Sequence, residues 1–203
     1  MERRRNYQKE MEAVLDGLEH SGEVPTLLLH SCCAPCSSAV LELLSSRFRI
    51  IDYFYDPNIE PEEEYRLRAE ELRRLTEEMP FRYPVRFLEG PYDPERFREA
   101  AKGLEDCPER GERCRRCFEL RLRRAAEMAK ELSCDLFATT LTISPLKDPD
   151  VINTVGEEAA AACGVRYLPS DFKKKDGYKR SLELSREYGL YRQNYCGCLF
   201  SRR

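Results

Sequence analysis

No apolar run in this chain of 203 residues approaches the roughly 20 residues needed to span a bilayer. None follows the basic start, Met1 to Tyr7, as a secretory signal would require. A dominant charge is also missing. The formal net charge is −3, so a nucleic-acid partner would have to be met by a local basic patch rather than by a global field. Internal repeats and low-complexity linkers are absent. These absences point to a soluble, cytoplasmic protein with no membrane partner. With 41% hydrophobic and 35% charged residues, it has enough chain for one α/β domain with a true core.

Cysteine is plentiful. Seven of the ten cysteines fall in close groups: Cys32, Cys33 and Cys36; Cys114 and Cys117; Cys196 and Cys198. In a reducing compartment such groups bind metal or do redox chemistry more often than they form structural bridges. Cys134 and Cys163 stand alone and read as small buried hydrophobes. Cys107 has no assigned role.

The first group sits in the stretch around which the chain is organised. Residues 24–29 are an apolar run too short for a helix, and Pro35 stops one passing smoothly through, so a buried strand is predicted. The three thiols then occupy the turn before a helix starting near Ser37 or Ser38, either of which could cap it. Thiols beside the positive end of a helix dipole ionise more readily than free cysteine.

Further along, an amphipathic helix is predicted over about 6–19, strands over 50–55, 85–88, 136–143 and 165–168, and helices after Pro61, Pro94, Cys114 and Asp148. Gly164 is a stop signal for the last of these. Alternation of this kind implies an α/β fold, a mostly parallel sheet flanked by helices; by fold-level analogy alone, its motif region resembles Rossmann-like nucleotide-binding folds of the HUP or PP-loop kind. One domain over 1–203 is expected, with the N-terminal helix and a basic, aromatic C-terminal segment, 171–203, packing onto it.

Cys114 and Cys117 are three apart at a helix start, so both thiols face one side. With Cys32 and Cys33 they make a four-thiolate set, which suits zinc or an iron–sulfur cluster. An adjacent Cys-Cys is the less natural zinc knuckle. Cys196-Gly197-Cys198 is too tight for easy joint ligation and reads as a dithiol for reversible oxidation, or else as further ligands. Six arginines and one acid lie between Arg113 and Arg124, and Lys173 to Arg180 form a second basic group. These runs, with Tyr178, Tyr188, Tyr191 and Tyr195, suit phosphates and unpaired bases, with Arg115 and Arg116 as candidate contacts; they read equally as solvated charge and as tyrosines that pack the C-terminal segment. His30 reads equally as a satisfied strand-end histidine or an acid–base group.

Six motifs, in order, carry a resemblance over about 27–198: His30-Ser-Cys32-Cys33-Ala-Pro-Cys36, Tyr53-Phe-Tyr-Asp56-Pro-Asn58, Glu63-Glu-Tyr65, Cys114-Arg-Arg-Cys117-Phe, Thr139 through Thr142 to Lys147, and Tyr191 to Cys198. Together they resemble the cobalamin-independent epoxyqueuosine reductases, the QueH type. The resemblance implies reduction of the epoxide of epoxyqueuosine to the cyclopentene at the wobble position of tRNA, the last step of queuosine biosynthesis. It further implies a 4Fe–4S cluster on Cys32, Cys33, Cys114 and Cys117, an additional mononuclear iron with Cys36 as a ligand, and a redox-active pair at Cys196 and Cys198. The electron donor would lie outside the chain. Asp56, Asn58 and Thr142, at predicted strand ends on the edge of the cysteine turn, are candidate substrate-contacting groups. Two other readings are an ATP-dependent tRNA sulfur-transfer enzyme and a zinc-stabilised RNA-binding protein without catalysis. The first is disfavoured by the lack of phosphate-cradling glycines after the first strand. The second is disfavoured by the Cys196–Cys198 pair.

Overall fold

The computed structural model describes residues 5–201, so residues 1–4 of the basic start and 202–203 of the C-terminal segment lie outside the described residues. Helix α1 (Tyr7–Ser21) leads into β1 (Thr26–Ser31), α2 (Ala34–Leu44), β2 (Arg49–Phe54), α3 (Glu62–Glu78) and β3 (Val85–Glu89). Then follow α4 (Pro94–Ala101), α5 (Glu112–Glu131), β4 (Leu136–Thr139), α6 (Pro149–Cys163), β5 (Arg166–Tyr167) and α7 (Gly177–Glu187). The five strands form one parallel sheet in the order β3-β2-β1-β4-β5. No helix among the described residues is long and apolar enough to cross a membrane.

Strand β1 is central, and Leu27, Leu28 and Leu29 have no exposed surface. That is why it reads as an unbroken apolar run rather than an alternating one. Leu27 and Leu29 pack with Met11, Val40, Leu41 and Leu72, from α1, α2 and α3. Leu28 faces the other layer, with Leu122, Ala125 and Ala129 of α5 and Ile152 of α6. The alanines let α5 lie close to the sheet. In α6, Gly156 costs helix propensity, about 1 kcal/mol against alanine. A Cβ there would stand 2.4 Å from Cζ of Tyr167, so the ring requires the glycine.

After β3 the chain crosses back to lay β4 on the far side of β1. Connections leaving the carboxyl ends of β1 and β4 therefore diverge, which opens the crevice where ligands bind in such sheets.

Two local expectations are corrected, and one helix was not foreseen. Helix α2 starts at Ala34 with Cys33 at its cap, so Cys36 lies in its first turn. Proline is tolerated there because the missing N–H would have had no partner. Ser37 and Ser38 do not cap it; their hydroxyls donate back to the carbonyls of Cys33 (2.9 Å) and Pro35 (3.1 Å). Strand β4 ends at Thr139, whose hydroxyl oxygen accepts from the Leu141 N–H and starts a 3-10 turn over Thr140–Ile143. Helix α7 was hidden in a charged segment that buries only Ser181, Leu184 and Ser185.

Candidate metal centre and active-site cavity

The sulfurs of Cys32, Cys33 and Cys36 lie within 4.8 Å of one another. The turn after β1 brings the first two together, and the first turn of α2 stacks Cys36 beneath Cys33. Three cations converge on them. Arg68 of α3 acts electrostatically on Cys33 and Cys32, Arg121 of α5 on Cys32, and Lys147 on Cys32 and Cys36. The Gln193 amide donates to the Cys33 sulfur at 2.9 Å. Ionisation within the trio is uneven. Hydrogen bonds from Cys32 and Cys36 hold Cys33 well below the ordinary thiol range, whereas Cys32 and Cys36 are pushed up.

Cys36 opens onto a cavity of about 1040 Å³ that Cys114, Cys117, Cys196 and Cys198 also line. Cys32 and Cys33 lie behind that wall, 8% and 1% exposed. The opposite wall is the start of α5. There Arg113, 2% exposed, donates to the carbonyls of Leu104, Glu105 and Cys107 and so fastens the irregular loop that precedes the helix. The backbone N–H of Arg110 donates to Cys114 Sγ at 3.3 Å. Cys117 is buried, which pushes its thiol up to about 12.

This donor set fits a thiolate-bound metal. Two sulfurs on one ion, each about 2.3 Å from it, stand no more than about 4.6 Å apart. The turn trio has close to that spacing, Cys114 and Cys117 line the cavity onto which Cys36 opens without joining that close group, and the surrounding cations offset thiolate charge.

The C-terminal segment forms a third wall because α3 holds it. The Tyr191 N–H donates to Glu71 (2.9 Å), and the Tyr191 hydroxyl donates to Glu64 (3.1 Å). Arg68, itself paired with Glu64, donates to the carbonyls of Cys196 (3.3 Å) and Tyr195 (3.4 Å). The Asn58 amide donates to the Cys196 carbonyl at 3.4 Å, and the Glu60 N–H to that of Gly197 at 3.1 Å. Within the pair, the Cys198 thiol hydrogen-bonds to Cys196. Cys196 is thereby lowered to about 5, and Cys198 is driven above its ordinary value.

Gly197 has φ +101°, and a Cβ there would meet Cγ1 of Ile59 at 2.6 Å. Gly197→Ala should therefore shift Cys196 off its anchors and raise its thiol pKa. The check is the pH midpoint of its alkylation, which is expected to move up toward the ordinary value of about 8.5. An unchanged midpoint would mean that the segment tolerates the side chain.

Other candidates divide. Asn58 reaches the cavity wall, but Asp56 and Thr142 do not. Asp56 is buried against Arg121 (2.5 Å), and burial raises it to about 7. Thr142 is buried against Ser170 Oγ at 3.0 Å. Arg115 lines the cavity but bridges Glu119 and Glu158, and Arg116 lies off the wall, bridging Glu112 and Glu119. His30 is satisfied. The Tyr55 carbonyl can only accept, so Nε2 carries the proton (3.2 Å), and Nδ1 accepts from the Thr139 hydroxyl (2.8 Å). Burial lowers its pKa to about 3 and keeps it neutral.

Four site residues escaped sequence reasoning: Arg68, Arg121, Lys147 and Gln193. The last two stand inside motifs already noted. Arg68 and Arg121 carry no local signal, since each looks like an ordinary helix-surface charge until the fold buries it.

Comparison with known proteins then decides the family. Residues 27–203 match the family model described as Epoxyqueuosine reductase QueH. The chain belongs to the QueH family. It is 42% identical over 200 residues to the epoxyqueuosine reductase QueH of Staphylococcus epidermidis, covering 97% of this chain and 84% of that protein. The Streptococcus pyogenes QueH is 43% identical over 198 residues, with 97% and 78% covered. The Thermotoga maritima QueH is 37% identical over 182 residues, with 87% and 90% covered.

Proposed function

We propose that this member of the QueH family reduces the epoxide of epoxyqueuosine to the cyclopentene at the wobble position of tRNA, completing queuosine. The observation that carries the reading is that Cys36, Cys114, Cys117, Cys196 and Cys198, from three distant chain segments, line one cavity. In the proposal Cys32, Cys33, Cys114 and Cys117 hold a 4Fe–4S cluster, and Cys36 helps hold a further iron. When bound, these groups would supply one-electron transfer and a Lewis-acidic partner for oxygen.

The chain's own residues account for the rest. Arg68, Arg121 and Lys147 offset the thiolate charge, and the Lys147 ammonium is a proton source on the cavity wall. Overall, the dithiol gives up two electrons and two protons. The two carbon–oxygen bonds of the epoxide break, a carbon–carbon double bond forms, the oxygen leaves as water, and Cys196 and Cys198 close into a disulfide. An external dithiol or protein reductant reopens it.

The test is iron and sulfide content after anaerobic purification, with epoxide reduction measured on the same sample. Cys33→Ala and Cys117→Ala should each lose the iron–sulfur absorbance and the activity together. Full occupancy in either variant would remove that residue from the ligand set. Zinc in place of iron, with no reduction, would overturn the redox reading.

A further inference from the structure

The sequence directs attention to Arg115 and Arg116 for RNA, yet both are shared among glutamates. All of the other dense basic run but Lys179 is similarly occupied, with Lys173 and Lys174 on Asp171, Lys175 on Glu12, and Arg180 on Glu42 and Glu183. Around the cavity opening the pattern reverses. Arg110 and Arg192 line it, both exposed, and neither has a carboxylate partner among the described residues. Among the described residues the Arg110 guanidinium donates only to carbonyls, those of Leu146 (2.8 Å) and Pro145 (3.5 Å), and the Arg192 guanidinium only to Ser185 Oγ (3.2 Å).

Apolar exposure concentrates at the same opening. Of the eight large hydrophobic side chains exposed among the described residues, four line this cavity: Leu146 at 69%, Leu67 at 45%, Tyr191 at 38% and Tyr178 at 36%. Single exposed hydrophobics are ordinary, but a group rimmed by unpaired cations marks a binding surface. The cavity, at about 1040 Å³, stands at the upper end of the roughly 300–1,000 Å³ typical of ligand sites. Glu63 and Glu109 line it too, so attraction at long range is weak and recognition must be by local contact.

We propose that this rim binds the unpaired RNA on either side of the substrate nucleoside, with Arg110 and Arg192 on backbone phosphates and Tyr178 and Tyr191 stacked on neighbouring bases. The proposal rests on the reading that the substrate nucleoside lies within an RNA loop. Stacking platforms flanked by cations are how single strands are held without a sequence code. Arg110 is also fixed by the Pro145–Leu146 backbone, so its guanidinium is oriented before RNA arrives.

The test measures binding of an RNA hairpin with a seven-nucleotide, epoxyqueuosine-bearing loop across a salt series. Arg110→Ala with Arg192→Ala should weaken binding about tenfold or more and flatten the salt slope by about 1.4, or 0.7 per lost single-strand contact. Tyr178→Ala and Tyr191→Ala should each weaken it about fivefold or more. The four side chains are exposed, and circular dichroism verifies the fold. Arg82→Ala with Arg86→Ala, two charges that do not line the cavity, should leave the slope unchanged. An unchanged slope in the Arg110/Arg192 variant, or a larger loss from Arg115→Ala with Arg116→Ala, overturns the proposal. Its failure is separable from that of the reductase reading. Rim-dependent binding without epoxide reduction supports the surface and defeats the reaction. Normal reduction with rim variants that bind like wild type does the reverse.

Discussion

Cys198→Ser is expected to abolish repeated turnover with a thiol or protein reductant while iron, sulfide and RNA binding stay near wild-type levels. That is the largest effect expected on activity, because an electron relay made of two thiols does not work with one. In the proposed relay Cys196 is the half that reacts. Its thiolate is favoured by the hydrogen bond from Cys198, which lowers it to about 5. The thiolate is the nucleophile in thiol–disulfide exchange. Alkylation of Cys196 should therefore persist on acidification down to about pH 5. In Cys198→Ala, which lacks the donor, it should fall away nearer the ordinary thiol value of about 8.5. A strong chemical reductant that bypasses the pair should restore some product. Loss of iron in Cys198→Ser would make the pair a ligand, and full multiple turnover would end the relay reading.

The largest effect on stability is expected from Arg121→Met. Arg121 is 4% exposed and donates to Asp56, which has no exposed surface. Removing one partner of a buried pair leaves the other uncompensated, at a cost of about 3–5 kcal/mol. A shift of that size is easily read in a denaturant midpoint. The dependence on pH has a definite sign. Burial raises Asp56 to about 7, above the unfolded value of about 3.9. Its contribution to stability is therefore complete below about pH 4 and is lost as pH rises through about 7. Without the guanidinium, which lowers that value, Arg121→Met should be destabilised least in acid and most above neutrality. Adding Asp56→Asn should recover much of the loss at high pH. A variant with the wild-type midpoint at pH 8 would show that water reaches the site and screens the carboxylate.

Much of this protein is legible in its sequence, for reasons of local chemistry. The apolar run at Leu27 to Leu29 specifies a strand buried on both faces, and glycine and proline punctuate the helices around it. Pairs of cysteines three apart at a helix start must face one side whatever else the chain does. The ordered motifs from His30 to Cys198 carry the family resemblance without any tertiary information. What the tertiary structure decided is which charges are free. Along α5 the arginines form a basic run in sequence, yet Arg115 and Arg116 are shared among acids on α5 and α6, Arg113 is spent on carbonyls, and Arg121 is buried against Asp56. Arg110 and Arg192, inconspicuous in the chain, are left without a carboxylate partner among the described residues at the cavity mouth. Arg68 stands 35 residues after Cys33 and 128 before Cys196, so spacing alone could not distinguish it from a surface charge. Periodicity records which face of an element is apolar. The pairing of long, charged side chains depends on which other element the fold brings alongside, and that is set only when the sheet order is complete.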